Sequence, residues 1–172
     1  MNHLLDRLPY FQRSQVVRVA GQPFEIRRDQ IYCWASLTSP FVSGWDEKAD
    51  SLRFPILIDT GHGHNFTLHV EHLRTWAGLV PSDLVPLGSL EINGQRGRLL
   101  DAAVWLFPNK PGTTDIDSAR PPFRIDLDEG ISVVPGRGFP RIPLLGLRSF
   151  RLNGLRLNVE GATQLVSLTA PP

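Results

Sequence analysis

Glycine and proline interrupt this chain so often that little room is left for long helices. The 172 residues hold 15 of each, scattered from end to end. Both punctuate regular structure, glycine by its conformational freedom and proline by its fixed φ and missing N–H. Between them lie short runs rich in β-branched and aromatic side chains: Val16–Ala20, Phe24–Arg28, Ile31–Leu37, Phe54–Ile58, Phe66–Val70, Leu99–Phe107, Phe123–Leu127, Ile131–Val134 and Leu155–Val159. Phe123-Arg-Ile-Asp-Leu127 and Leu155-Arg-Leu-Asn-Val159 alternate apolar with polar, as half-buried strands do. Asn93-Gly94 and Asn153-Gly154 carry hairpin-turn chemistry. Helical periodicity is weak and is best over Val70–Leu79 and around Leu145–Leu152. The expected fold is mainly β, closed or sandwiched, with one or two short helices.

This length fits one domain, with or without a large insertion. Asn109–Arg120 is polar and turn-rich, as a long surface loop is, and Pro135–Pro140 forms a second break. The segment after that break is too short for its own core, so residues 1–172 are expected to form a single domain. A net charge of +1 gives no global attraction to nucleic acid or anionic lipid. Sixteen of the 18 basic residues are Arg, a skew from which no function is drawn. Cys33 is the only cysteine, which excludes an internal disulfide and a thiolate metal cluster. It lies in the apolar run Ile31–Ala35, where a buried, inert thiol is expected. No stretch reaches the roughly 18 apolar residues a membrane span needs, and the N-terminus lacks a signal-peptide core. The expectation is a cytoplasmic protein that engages neither membrane nor nucleic acid and needs no cofactor.

The run Phe54-Pro-Ile-Leu-Ile-Asp-Thr-Gly61 is the chemically most pointed segment. A wholly apolar strand ends in the carboxylate of Asp59 and then turns at Thr60-Gly61, which puts that carboxylate at the rim of a core. Burial there is costly unless the group is hydrogen-bonded or functional. The tripeptide alone also fits an ordinary strand-end turn. A second element, Leu144-Leu145-Gly146, lies 85 residues downstream, after Pro143 and ahead of the short helical stretch.

Together the two elements resemble the retropepsin-like aspartic peptidases, whose half-barrel packs an apolar-apolar-Gly strand beneath an Asp-Thr/Ser-Gly loop. The resemblance covers about residues 50–165. Leu90–Gly94 and Leu99–Phe107 resemble the intervening hairpin, and Leu155–Gly161 the closing strand. It implies a closed acid-protease barrel with core 50–165, an N-terminal extension and first strands over 1–49, and an insertion over 109–140 that covers the site. It also implies an aspartic endopeptidase in which two carboxylates share one proton, one activating water and the other polarising the scissile carbonyl. No second Asp-Thr/Ser-Gly occurs, since Asp117-Ser118 is followed by Ala119. A dyad therefore requires a symmetric homodimer acting on a peptide or protein substrate. Thr60 would lock the two loops together, and Gly61 would offer its backbone to substrate. Leu144, Leu145 and Gly146 would support the site.

Two positions depart from the family pattern. His62 stands where a small residue is usual, so its bulk is expected on the substrate side. Gly63 stands where an acid often pairs with a basic residue, leaving Arg148, one position late, without an obvious partner. Blockage by His62 would make the chain a catalytically silent, peptide- or protein-binding dimer of the same fold. His62, His64, His69 and His72 crowd one segment, and His62-x-His64 is a candidate metal pair, although no Cys or acidic ligand accompanies it at diagnostic spacing. A His-rich metal-binding β-domain is the most distant alternative. An imidazolium at His62 or His64 would instead lower the carboxylate pKa values nearby. Trp34, Trp45, Trp76 and Trp105 fit strand packing. The Arg148/Arg151/Arg156 series fits a solvent face or a subunit interface.

Overall fold

The computed structural model describes residues 2–45, 52–135 and 138–171. Positions 46–51, at the expected junction of extension and core, and 136–137, inside the Pro135–Pro140 break, lie outside the described residues. Four strands precede the Asp59 loop or lead into it: β1 (Asn2–Pro9), β2 (Gln15–Val19), β3 (Gln22–Ile26) and β4 (Tyr32–Thr38). β5 (Phe54–Asp59) and β6 (Phe66–His69) flank the loop, and helix α1 (Val70–Thr75) and a 3-10 turn (Pro81–Asp83) follow. Then come β7 (Val85–Ile92), β8 (Gln95–Asp101), β9 (Ala103–Leu106), β10 (Phe123–Ile125) and β11 (Ile131–Val134). The chain closes with β12 (Leu144–Gly146), helix α2 (Leu147–Leu152), β13 (Arg156–Glu160) and β14 (Leu165–Ala170). The fold is mainly β with two short helices, and no described helix is long and apolar enough to cross a membrane.

Nine strands form one sheet in the order β10-β9-β4-β5-β12-β6-β11-β8-β7. β9 and β8 stand second and eighth in that order, yet Ala102 alone separates them in the chain. In a flat sheet six strand spacings would hold them about 29 Å apart, whereas two chain steps span about 7 Å. The sheet must therefore roll until those strands meet end to end. Its hydrogen bonding still runs from one edge, β10, to the other, β7, without closing among the described residues. The closed barrel expected from the sequence is thus replaced by a rolled, open sheet.

Rolling encloses a single main core. Phe54, Ile56, Ile58, Phe66, Leu68, Leu100, Val104, Leu106, Ile131 and Leu145 meet there, joined by Leu5, Val166 and Leu168 from a second sheet, β1-β14-β13. Leu57 and Leu144 point the other way, into a smaller cluster with Ile26, Tyr32 and Ile142. β5 and β12 are therefore buried on both faces, which explains their uninterrupted apolar sequence. Cys33 is buried, and that burial pushes its thiol well above the ordinary range.

Several sequence expectations change here. Asn93 and Gly94 both have positive φ (51° and 73°) and close the β7–β8 hairpin as expected. Asn153-Gly154 is no hairpin turn: it ends α2, with Gly154 at φ 59° and the Leu155 amide donating to the Phe150 carbonyl. Ile131–Val134, within the expected insertion, is hydrogen-bonded between β6 and β8 and belongs to the main sheet. Asn109–Arg120 does not hang free. The buried Asn109 amide donates to the carbonyls of Asp6, Lys110 and Thr113 and accepts from the Asp6 amide, tying the loop to β1.

Candidate active site

β12 lies between β5 and β6, parallel to the first and antiparallel to the second. The chain leaving β5 must therefore step over the end of β12 before it can return as β6. That step is the loop Thr60–Asn65, with Asp59 at its start and Gly146 in register beneath it. Asp59 is half-buried, whereas Thr60 and Gly61 are exposed. Its carboxylate Oδ1 accepts a hydrogen bond from the Gly61 amide at 2.9 Å, and its carbonyl accepts one from the His62 amide at 3.1 Å. The first bond fixes the side chain at the head of the loop, and the second closes the backbone turn.

From below, the segment after Pro143 holds the loop in place. The Gly146 amide donates to the Asn65 carbonyl (2.9 Å), the Leu147 amide to the His62 carbonyl (2.8 Å), and the Ser149 hydroxyl to the Asn65 carbonyl (2.8 Å). The approach is too close for any side chain at position 146. A methyl carbon there would overlap the His64 carbonyl oxygen and come within 2.5 Å of the His62 carbonyl oxygen. Leu145 anchors β12 in the main core, and Leu144 anchors it in the smaller cluster.

His62 turns inward, contrary to the expectation that its bulk faces substrate. It is 8% exposed, and its Nε2 lies 2.7 Å from the Thr67 hydroxyl on β6. Burial, then the neighbouring His64, pushes its pKa below the ordinary imidazole value against a smaller opposing pull from Asp59. A neutral His62 ring is favoured, so an imidazolium at His62 tuning Asp59 is not what this geometry provides. The His62 and His64 rings are 5.2 Å apart between centroids, and among the described residues no third metal-ligating side chain joins them. His69 and His72 do different work, forming a capping box on α1. His69 Nδ1 accepts from the Glu71 amide, and His72 Nδ1 accepts from the His69 amide.

Arg148 has the acidic partner that Gly63 could not supply. Its guanidinium grips Asp128 with two parallel bonds, Nε to Oδ1 at 3.0 Å and Nη2 to Oδ2 at 2.7 Å, and Nη2 also reaches Glu129 at 3.0 Å. The Asn65 side-chain amide donates to the same Asp128 at 2.7 Å, so the loop's last residue joins the ion pair. Arg148 first, then Asn65, holds the Asp128 carboxyl down to about 2. Sequence reasoning found Arg148 and missed Asp128 and Asn65. The partners lie 20 and 63 residues apart, too far for any local spacing to reveal them.

Asp59, Thr60, Gly61, Leu144, Leu145 and Gly146 are thus brought together as one structure, a carboxylate-bearing loop carried on a glycine strand. His62 belongs to its underside and His64 to its flank. The chain matches no protein-family model, no curated protein and no solved structure.

Proposed function

We propose that the chain is a homodimeric aspartic endopeptidase of the retropepsin-like type, with Asp59 and the partner subunit's Asp59 as its catalytic dyad. One observation carries this: β12, an apolar-apolar-Gly strand, runs between the strand that ends in Asp59 and the strand that follows the loop, with Gly146 pressed against the loop backbone. That is the support an Asp-Thr-Gly loop has in the family the sequence resembles. The exposed Thr60 and Gly61 are free to meet a second loop and a peptide backbone. Like charges about 3 Å apart cannot both ionise, so the dyad holds one proton between its members. The ionised carboxylate takes a proton from water as that water attacks the scissile carbonyl. The protonated one donates to the carbonyl oxygen, and a proton then passes to the leaving amine.

A two-fold axis also suits the terminal sheet. β13 is one of its two edges and is largely exposed. Antiparallel pairing of two β13 strands centred on Asn158 sets Arg156 opposite the partner subunit's Glu160, and Glu160 opposite the partner subunit's Arg156. The lone buried thiol fits a reducing, cytoplasmic setting. The silent-dimer alternative rested on His62 blocking the site, and the inward turn of His62 removes that ground. The test is Asp59→Ala. Cleavage of a peptide library should vanish while the unfolding midpoint and dimer mass stay unchanged; cleavage at the parental rate would end the assignment.

A further inference from the structure

We propose that a groove beside the β7–β8 hairpin binds an extended acidic peptide segment, independently of Asp59. The groove encloses about 610 Å³ between the 3-10 turn and the hairpin, and continues into a second hollow of about 360 Å³ against α1 and the end of β11. Arg96 and Arg98 line both hollows, and Arg74 lines the second. No lining residue comes from the Asp59–Asn65 loop, β12 or α2.

Charge and shape together define the ligand. Neither hollow is lined by a carboxylate. The Arg98 guanidinium has no hydrogen-bond or ion-pair partner among the described residues, that of Arg96 reaches only the Ser89 hydroxyl at 3.3 Å, and that of Arg74 makes an exposed contact with Glu71 at 3.4 Å. Glu91 faces Arg96 across the ladder and forms no ion pair with it among the described residues. Arg96 and Arg98 sit two apart on one strand, so their side chains leave the same face about 7 Å apart. That interval is also the repeat between alternate side chains of an extended peptide. The walls between the arginines are aliphatic: Pro81, Leu84, Pro86, Leu100 and Val133. Neither hollow has an aromatic side chain on which a base would stack. Acidic residues at every second position, with small apolar residues between them, match both features, whereas a nucleic acid matches only the charge.

The test uses the full chain carrying Asp59→Ala, so that no cleavage interferes, and fluorescence anisotropy of a labelled Ser-Glu-Val-Glu-Pro-Glu-Ser peptide. Saturable binding is expected, weakened about fivefold by Arg98→Ala and further by Arg96→Ala with Arg98→Ala. Arg28→Ala, exposed in the turn after β3 and in neither hollow, should leave it unchanged, as should exchange of the peptide's Ser for Thr. The proposal is overturned if the Lys-for-Glu peptide binds as well, if R96A/R98A binds like its parent with an unchanged unfolding midpoint, or if an oligothymidylate displaces the peptide at equal concentration.

Discussion

Replacing Gly146 with alanine puts one methyl carbon where the structure has no room for it. That carbon would overlap the His64 carbonyl oxygen and lie 2.5 Å from the His62 carbonyl oxygen and 3.0 Å from His62 Cδ2. Two of these are backbone atoms of the loop, so the loop has to lift from β12. Lifting stretches the Gly146-to-Asn65 and Leu147-to-His62 hydrogen bonds, 2.9 and 2.8 Å long. Each contributes about 1 kcal/mol, and overpacking a tight contact adds about 1–3 kcal/mol. The expected destabilisation is about 3–5 kcal/mol, a fall of roughly 10 °C in the thermal midpoint for a domain of this size. Gly161→Ala is the control, because nothing lies within 4 Å of a methyl carbon there. Thermal unfolding followed by near-ultraviolet circular dichroism measures both. A midpoint for Gly146→Ala within about 2 °C of the parent would refute the claim that backbone contact at Gly146 holds the loop.

Acid should weaken the fold through His72, and charge reversal should weaken the dimer through β13. His72 is stacked on Trp76 at 4.3 Å, and burial first, then His69, lowers its pKa to about 4 against a hydrogen bond to the Arg141 backbone that raises it. The unfolded chain therefore takes up a proton near pH 6.5 that the folded chain refuses until about 4. Stability contributed by the neutral ring is full above 6.5 and lost between those values, by about 3 kcal/mol in all. Urea unfolding at a series of pH values should show this slope in the parent and not in His72→Phe; parallel curves would contradict it. Arg156→Glu should weaken dimerisation about tenfold in sedimentation, and adding Glu160→Arg should restore it. An unaltered dimer in the single variant would exclude pairing through β13.

How much was legible in the sequence follows from how local the causes are. β5 and the Asp59 turn were plain because a strand buried on both faces has to be apolar throughout, and its polar end stands out. The first half of β7 was hidden because Pro86 and Gly88 interrupt it, and they are tolerated there because β7 is an edge. β1 lost its alternation at Arg7, whose φ of 46° accompanies slips in the register against β14. Asn153-Gly154 carries the residues of a hairpin turn, but the same pair suits a helix C-terminus, and only the α2 hydrogen bonds decide between the two. In the site, Asp59 and Gly146 were found from the chain, while the inward turn of His62 needed Thr67 on a neighbouring strand to be seen. The Asn65–Asp128–Arg148 group was invisible, since chain spacing carries no sign of it.

The distance between the two Asp59 carboxylates in a crystal of the dimer tests the central claim most directly. A shared-proton dyad requires their oxygens about 3 Å apart across the two-fold axis, with Thr60 from each loop at the contact. Carboxylates well separated in the dimer, or a crystal and solution monomer with Asp59 facing only water, would leave hydrolysis without a second carboxylate and contradict it.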